Sequence, residues 1–262
     1  MRISYGKLRV PVHRIDGRDL FACEVSVEVL GDNFAAAYVE GDNSAVVATD
    51  TMKNFILREA LGYDGAALEG FLAFLGRRFV ATYPVMEAVR MSGRELRFDR
   101  LGDGVVFERS RDDHAVASLR ADPGGVHDVR GGLRDLWLLK TTGSAFTRFA
   151  RDDYTTLPER GDRPLFVRLD VEWAYDDERY ADPRAVRDHL AATFDDFVSE
   201  SIQHLVHEMG TRLLSDYQQL ASVSFTAENH TRDPVGAAGG RRVFTDPFPA
   251  QGLITLTLER GR

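Results

Sequence analysis

The predicted secondary structure of this 262-residue chain runs through the same series of elements twice. In each half, alternating apolar runs typical of strands are followed by two amphipathic helices and then by further strands. This order predicts a tandem α+β protein in which each domain is an antiparallel sheet with two helices on one face. The uncovered sheet face and edges would favour oligomerisation that closes the sheets into a barrel. We place the two domains at residues 1–128 and 129–262.

The first half is expected to begin with two alternating strands, 8–12 and 21–29. The apolar runs 34–39 and 45–48 are also interpreted as strands, and two helices follow, the second at about 64–82. The remaining strands of this half are predicted at 85–91, 95–98, 105–108 and 115–120. A Gly, Asp and Pro-rich segment, 121–125, then predicts a domain boundary or a long hairpin.

The second half repeats this plan. Its residues 234–240 are rich in Gly and Ala and are expected to form a mobile loop. Its two helices are predicted at about 183–194 and 197–215. Its strands are predicted at 133–141, 164–175, 221–226 and 253–259.

Composition narrows the class of protein. Apolar residues make up 44% of the chain, enough for a substantial core, and the net charge of −8 argues against nucleic-acid or anionic-membrane partners. The single cysteine, Cys23, excludes an intrachain disulfide and lies in an alternating apolar run, so we expect an inert core thiol in a reducing compartment. There is no signal-peptide pattern, no membrane-length apolar run and no peroxisomal tripeptide at residues 259–262. We therefore predict a soluble, cytoplasmic protein.

Familiar cofactor and metal patterns are scarce in this sequence. It contains no Gly-rich phosphate loop after a strand and no nucleophile elbow. The histidines are scattered, apart from His204 and His207, which share a helix face with Glu208. Zinc needs several His or Cys ligands at chelating spacing, so this spacing disfavours a metal site.

Thr49 and Asp50 stand where the predicted strand 45–48 hands over to a helix. In that position a hydroxyl and a carboxylate commonly cap the free amides of the helix, and capping is the ordinary interpretation of such a pair. The whole string from Asn43 to Asn54 is more specific than a cap requires. It resembles the signature of the uricase family, the urate oxidases.

Four further segments carry the same resemblance, which spans the chain from Tyr5 to about Asn229. They are Tyr5-Gly6-Lys7 at the start of the first strand, the run 139–157 with Phe146, the pair Asp162-Arg163, and Ser201-Ile202-Gln203 in the last long helix. Taken singly, each has a plain interpretation as a solvated lysine, a core aromatic, a surface arginine or a polar helix position. Their agreement at family spacing identifies the chain as similar to uricases.

The resemblance implies a fold, a reaction and a set of site residues. It implies paired tunnelling-fold domains that assemble as a homotetramer around a channel. It also implies oxidation of urate by O₂ and water to 5-hydroxyisourate and hydrogen peroxide, without a cofactor. Lys7 and Thr49 would be catalytic. Together with Asp50 they would face Phe146, Arg163, Gln203 and Asn229 of a neighbouring subunit. The implied substrate-binding residues are Asp50, Phe146, Arg163, Ile202, Gln203 and Asn229.

The segment after Asn229 departs from the family pattern, in which an asparagine and a histidine two residues later complete the oxygen site and the proton relay. An ungapped alignment on Asn229 puts Thr231 at the position of that histidine and His230 between them. Because strand residues alternate faces, Thr231 would then point into the site and His230 away from it. A local bulge would let His230 serve instead. Both alternatives stay open, and the ungapped alignment favours Thr231.

Two rival functions fit the same architecture. One is a zinc-dependent pterin or deazapurine enzyme, which the lack of a His/Cys cluster disfavours. The other is a purine-binding oligomer that is non-catalytic or altered in specificity. Turnover of urate by the purified protein would separate it from the oxidase.

Overall fold

The structure, a computed structural model, describes residues 2–110, 112–246 and 249–261. The chain divides into two compact units, one of residues 1–132 and 174–182 and the other of residues 133–173 and 183–262. The predicted domain boundary between residues 128 and 129 lies inside a strand, Gly125–Lys140. Within the described residues, no helix is both long and apolar enough to cross a membrane.

The first unit is an α+β structure built on antiparallel strands. Its elements are β1 (Ser4–Asp16), β2 (Asp19–Leu30), α1 (Ala35–Val39), α2 (Thr49–Glu59), α3 (Leu68–Thr82), β3 (Ala88–Glu95), β4 (Phe98–Arg100), β5 (Phe107–Arg109), β6 (His114–Asp122) and the start of β7 (Gly125–Lys140). The strand order is β1-β2-β3-β6-β7, and β4 pairs separately with β5. Segment 121–125 forms the tight turn of the β6–β7 hairpin, one of the two predicted alternatives.

The core of this unit lies on one face of its sheet. Alternate residues of β2, namely Cys23, Val25, Val27 and Val29, are buried in one cluster with the apolar side chains of α2 and α3. Cys23 is 1% exposed, and burial raises the pKa of its thiol to about 12, so its predicted core position is confirmed. The arrangement of two helices over one sheet face follows from this alternation.

A bulge in β1 changes which side chains face the helices. Lys7 pairs with Val27 and Val10 with Val25, so the register shifts by one residue across Leu8 and Arg9. Arg9 has a φ of 53°, as bulge residues often do, and Leu8 is 67% exposed. The predicted inward alternation that included Leu8 is therefore wrong. Because directly paired residues share a face, Lys7 lies on the same face as buried Val27.

The second unit has the same classes of elements. They are the end of β7, β8 (Leu165–Tyr175), α4 (Pro183–Asp196), α5 (Ile202–Asp216), β9 (Leu220–Asn229), β10 (Pro234–Ala238), β11 (Arg241–Phe244) and β12 (Gly252–Glu259). The strand order is β7-β8-β9-β12, and α5 packs against β9 and β12. Its core is formed by apolar side chains that include Val167, Leu169, Val171, Leu205, Met209, Leu213, Val223 and Phe225.

Three predicted segments differ from the structure. Residues 34–39, predicted as a strand, contain the helix α1, because three consecutive alanines favour a helix over a strand. Residues 45–48, predicted as a buried strand, form a turn and an irregular segment. Residues 234–240, predicted as a mobile loop, contain β10, which pairs antiparallel with β11. Short apolar or Gly-rich runs do not specify these outcomes locally.

Glu69 on α3 carries a buried carboxyl that should make stability depend on pH. It is 1% exposed, and its Oε1 accepts a hydrogen bond from the Tyr175 hydroxyl at 2.6 Å, whereas Oε2 has no partner in the described part of the chain. Burial raises the pKa of Glu69. The unfolded chain therefore loses this proton first, and folding stability falls as pH rises above about 4.3.

We expect Glu69→Gln to remove this pH dependence. The urea midpoint of the variant should exceed that of the parent at pH 8, and the gain should shrink toward pH 4, where the parent carboxyl is protonated in both states. Asp177→Asn is the control, because that carboxyl is exposed and paired with Arg179. A constant difference between Glu69→Gln and the parent at all pH values would contradict the assignment.

Candidate active site

One group of predicted site residues, Lys7, Thr49 and Asp50, lies in the first unit and is called the first half-site. The hydroxyl of Tyr5, two residues before Lys7, accepts a hydrogen bond from the amide of Val47 at 2.9 Å. This bond fixes the segment before α2 against β1 beside Lys7. Gly6 allows β1 to lie close to β2 beside Lys7, because a Cβ at that position would lie 2.0 Å from the carbonyl oxygen of Val27.

Thr49 and Asp50 are the first two residues of α2, and the N-cap position belongs to Ala48. The capping interpretation of this pair is therefore wrong, since among the described residues no side chain caps this helix. The Asp50 carboxylate instead accepts from Lys53 and from Asn54. Lys53 lowers the pKa of Asp50 most, and the charge of Lys7 lowers it further. The backbone amides of Thr49 and Asp50 lie in the first turn of α2, where no carbonyl of the helix accepts a hydrogen bond from them.

The other predicted substrate-binding residues, Phe146, Arg163, Ile202, Gln203 and Asn229, lie in the second unit and form the second half-site. A backbone network brings three separate segments of this half-site together. Ser144 and Ser199 form a bridge, in which the amide of Ala145 donates to the carbonyl of Ser199 at 2.8 Å. The amide of Arg163 donates to the carbonyl of Ser144 at 2.8 Å. These bonds place the segments before Phe146, Arg163 and Ile202 side by side.

Phe146 and Arg163 are neighbours in the structure. The Arg163 guanidinium carbon lies 5.6 Å from the centre of the Phe146 ring, and the Phe149 ring stacks on Phe146 at 5.0 Å. Burial lowers the pKa of Arg163, and the charge of Arg160 adds to this effect. The Arg163 Nε is buried without a hydrogen-bond partner in the described part of the chain. A half-buried guanidinium with an unused donor is suited to an anionic, planar ligand.

Ile202 and Gln203 open the helix α5, which was predicted to begin at residue 197. Ser201 caps the helix, because its hydroxyl accepts from the amide of His204 at 3.1 Å. Ile202 is 4% exposed and packs into the core, whereas Gln203 is exposed in the first turn. The helix therefore presents the Gln203 amide at its N-terminal end, next to the bridged segment at Ser199.

Asn229 is the last residue of β9, and its Oδ1 is buried with no hydrogen-bond partner among the described residues. His230 is 6% exposed, and its Nε2 lies 3.2 Å from Oε2 of Glu228. Residues two apart on a strand share a face, so His230 and Glu228 lie on one face, and Asn229 belongs to the other. Thr231 follows in an irregular segment and is half-buried.

Sequence reasoning missed the residues that hold the second half-site in shape. The Lys140 ammonium donates to the carbonyls of Phe194 and Asp195 at 2.9 and 2.8 Å, at the end of α4. The Asp162 carboxylate accepts from the Thr142 hydroxyl at 2.8 Å and from the Gly143 amide at 2.7 Å. The Lys140-to-Ser144 run was noticed only as a motif, and its long-range partners could not be deduced from spacing.

Asp162 should act on substrate affinity through Arg163, its neighbour in the chain. Burial raises the pKa of Asp162, but the hydrogen bonds from Thr142 and Gly143 outweigh it and leave the pKa below its ordinary value. The carbonyl of Ser144 accepts a hydrogen bond from the Arg163 amide. Without the Asp162 carboxylate, the loop before Ser144 loses its hydrogen bonds from Thr142 and Gly143. We expect Asp162→Ala to lower kcat/KM for the substrate about tenfold, mainly through KM.

The β10–β11 hairpin also contacts this loop, because Arg242 Nη2 donates to the Thr141 carbonyl at 2.8 Å and its Nη1 lies 3.5 Å from Asp162. Arg242→Ala should therefore shift KM in the same direction as Asp162→Ala, by a smaller factor. The control Asp177→Ala, which removes an exposed carboxylate of the first unit, should leave KM unchanged. Unchanged KM in Asp162→Ala would contradict this anchoring role.

Two members of the cluster His204, His207 and Glu208, which was weighed as a metal site, contact other side chains. The His204 ring packs edge-on against Phe197 at 4.7 Å, and Glu208 pairs with Arg212 at 2.7 Å. Across residues 2–110, 112–246 and 249–261, no group of three or more His, Cys, Asp or Glu side chains could hold a metal ion.

Comparisons with known proteins agree with the sequence motifs. The Uricase family profile matches residues 3–123 and 129–247. The chain is 43% identical to the uricase of Haloferax volcanii, with 98% of this chain and 92% of the relative aligned. It is 36% identical to the uric acid degradation bifunctional protein PucL of Bacillus subtilis, over 97% of this chain and 57% of that protein.

Solved structures agree as well. The crystal structure of urate oxidase from Bacillus sp. TB-90 aligns with a TM-score of 0.90 at 32% identity, covering 98% of this chain and 100% of the other. The uricase from Arthrobacter globiformis aligns with a TM-score of 0.90 at 28% identity, covering 99% and 94%. The fold and these matches define an α+β oxidoreductase. The chain belongs to the uricase family, so the predicted resemblance is confirmed.

Proposed function

We propose that this protein oxidises urate with O₂ and water to 5-hydroxyisourate and hydrogen peroxide in purine catabolism, using no metal or organic cofactor. Family membership supports urate as the substrate. The observation that carries the proposal is the pair of buried polar atoms, Arg163 Nε and Asn229 Oδ1, for which the described residues provide no partner. Buried polar groups are normally satisfied, and in the proposal bound urate provides the partners of these two atoms.

Substrate binding is assigned to the second half-site. Urate is planar and a monoanion at neutral pH, so its charged edge suits the rigid fork of the Arg163 guanidinium. Gln203 offers a donor and an acceptor for another ring edge, and Phe146 offers an aromatic face for stacking. Ile202 supplies apolar contact beside them. The parallel stack of Phe149 on Phe146 fixes the plane of the ring.

Proton removal is assigned to the first half-site. The Thr49 hydroxyl would take a proton from bound urate as it passes its own proton to the Lys7 amine, and urate is left as an electron-rich dianion. The dianion gives two electrons to O₂, which takes two protons and leaves as hydrogen peroxide. The oxygen of a water molecule then adds to the oxidised purine and gives 5-hydroxyisourate. Asp50 would hold the substrate through its free backbone amide, as a first-turn residue can.

Oxygen and water are assigned to the space above the purine, near Asn229 and Thr49. Thr231, two residues after Asn229, would complete the relay that begins at Lys7. The two half-sites belong to different units of the chain, and in the proposal each half-site meets its complement on a neighbouring copy. This sharing, a homotetramer and the closure of tandem tunnelling-fold domains into a barrel are parts of the proposal that rest on the family resemblance.

A direct assay tests the proposal. Purified protein treated with a chelator and dialysed is mixed with urate in air, and the near-ultraviolet absorbance of urate and the release of peroxide are followed together. The proposal predicts loss of urate with one peroxide formed per urate consumed. Unchanged urate in air, or activity that returns only when a metal is added, would contradict it.

A further inference from the structure

We infer that His230 is a positioning residue, held on the far face of the sheet by Glu228 and two aromatic rings, and that it sets the places of Asn229 and Thr231. This inference rests on the proposed urate oxidation and deepens it. It resolves the choice between His230 and Thr231 for the end of the proton relay, in favour of Thr231.

The faces of β9 separate His230 from the proposed ligand. Val223, Phe225 and Ala227 are buried, so the face with odd numbers packs on the core that includes α5. On the even face, the Ser224 hydroxyl lies 2.9 Å from the Thr257 hydroxyl of β12. The amide of His230 donates to the carbonyl of Phe166 at 2.9 Å, which extends the strand ladder by one residue without a bulge. His230 therefore keeps the even face.

The His230 imidazole is enclosed on that face. The Trp137 ring lies 4.6 Å away and the Phe166 ring 5.7 Å away, and Arg232 packs over Phe166 at 4.7 Å. The side chain is only 6% exposed. An imidazole in this enclosure cannot reach the proton of a ligand that contacts Asn229 on the opposite face.

A chain of charged groups fixes the carboxylate that holds His230. Glu228 Oε2 contacts His230 Nε2 at 3.2 Å, and Glu228 Oε1 accepts from Arg168 at 2.9 Å. Arg168 in turn donates to Asp135 Oδ1 at 2.6 Å and lies 3.5 Å from Asp170. Hydrogen bonding to Asp135 is the largest effect that raises the pKa of Arg168. The imidazole is thus tied to a rigid ion-pair network rather than to a substrate.

The contacts of His230 fix the positions of its two neighbours, Asn229 and Thr231. The strand β9 ends at Asn229, and His230 directly after it is bonded to β8 through its amide and contacts Glu228 through its side chain. Misplacing a catalytic group by about 1 Å can lower a rate by as much as about 100-fold. Loss of the His230 anchor should therefore weaken both substrate affinity and turnover without removing a proton acceptor.

The test compares His230→Gln, His230→Ala and Glu228→Ala with the parent enzyme. A glutamine amide can still donate to Glu228, so His230→Gln should keep kcat and KM within about threefold and keep the pH profile of kcat. His230→Ala and Glu228→Ala should each lower kcat/KM about tenfold with a raised KM. Thr231→Val should lower kcat about 100-fold or more at nearly constant KM.

The opposite pattern would overturn the inference. If His230 transferred the proton, His230→Gln and His230→Ala would both lose about 100-fold or more in kcat at constant KM, and added imidazole would restore part of the rate of the alanine variant. Urate affinity measured by calorimetry without oxygen separates this inference from the proposed function. A parent protein that binds but does not oxidise urate would refute the oxidation alone. The anchor would then be judged by whether His230→Ala, and not His230→Gln, weakens binding.

Discussion

Arg163→Met should lower kcat/KM for urate by about 1000-fold, with most of the loss in KM. Two charge-assisted hydrogen bonds to an anionic substrate are each worth about 1.5–3 kcal/mol, and methionine supplies neither. Arg163→Lys should still be about 100-fold impaired, because an ammonium keeps the charge but lacks the planar fork. Steady-state kinetics on the purified variants measure both effects.

The stability of Arg163→Met separates binding from folding. Arg163 is partly buried, with no recorded carboxylate partner among the described residues and an unpaired Nε, so its removal should not lower the melting temperature. Arg179→Met, which removes an exposed arginine paired with Asp177, is the control and should change neither quantity. A destabilised Arg163→Met with a normal KM would show that the guanidinium supports the fold instead.

Lys7→Met should lower kcat by about 1000-fold and leave KM nearly unchanged. In the proposed mechanism Lys7 acts only on the proton that leaves urate, and general base catalysis commonly contributes about 10²–10⁴-fold. Its side chain lies on the helix-bearing face of β1, and its charge reaches Asp50 at the start of α2. Initial rates across a range of urate concentrations separate kcat from KM.

The control for this prediction is Lys53→Met. Lys53 is on α2 and pairs with the exposed Asp50 carboxylate, and solvent and salt screen a surface pair of this kind. Its kcat should stay within about threefold of the parent. A Lys7→Met variant that keeps a tenth or more of the parent kcat would remove Lys7 from the proton relay.

The strands and long helices could be predicted because their patterns are local. The buried alternation of β2 and the apolar face of α3 are written in consecutive residues, and both elements appear close to their predicted positions. The short helix α1 and the β10–β11 hairpin were missed because five-residue segments carry too little periodicity. The bulge at Leu8 and Arg9 is set by pairing with β2, which the sequence of β1 alone does not contain.

In the candidate site, too, the local motifs could be predicted from the sequence and the long-range contacts could not. Motif spacing pointed to Lys7, Phe146 and Arg163, but the bonds that hold each of these segments in its own unit link residues far apart in the chain. The Ser144–Ser199 bridge and the contacts of Asp162 are examples. Thr49 and Asp50 were placed at the right junction and given the wrong helix positions, because the capping preference favours Thr and Asp whereas the fold uses Ala48.

Complementation between two inactive variants tests the shared site most directly. Lys7→Met and Arg163→Met chains with different tags are co-expressed, and oligomers carrying both tags are purified. If each site combines the first half-site of one copy with the second half-site of another, random assembly restores about one quarter of the parent activity. Mixed oligomers of Arg163→Met chains and Asn229→Ala chains should stay inactive, because both changes lie in the second half-site. Mixed Lys7→Met and Arg163→Met oligomers that are no more active than their parents would contradict a site built from two copies.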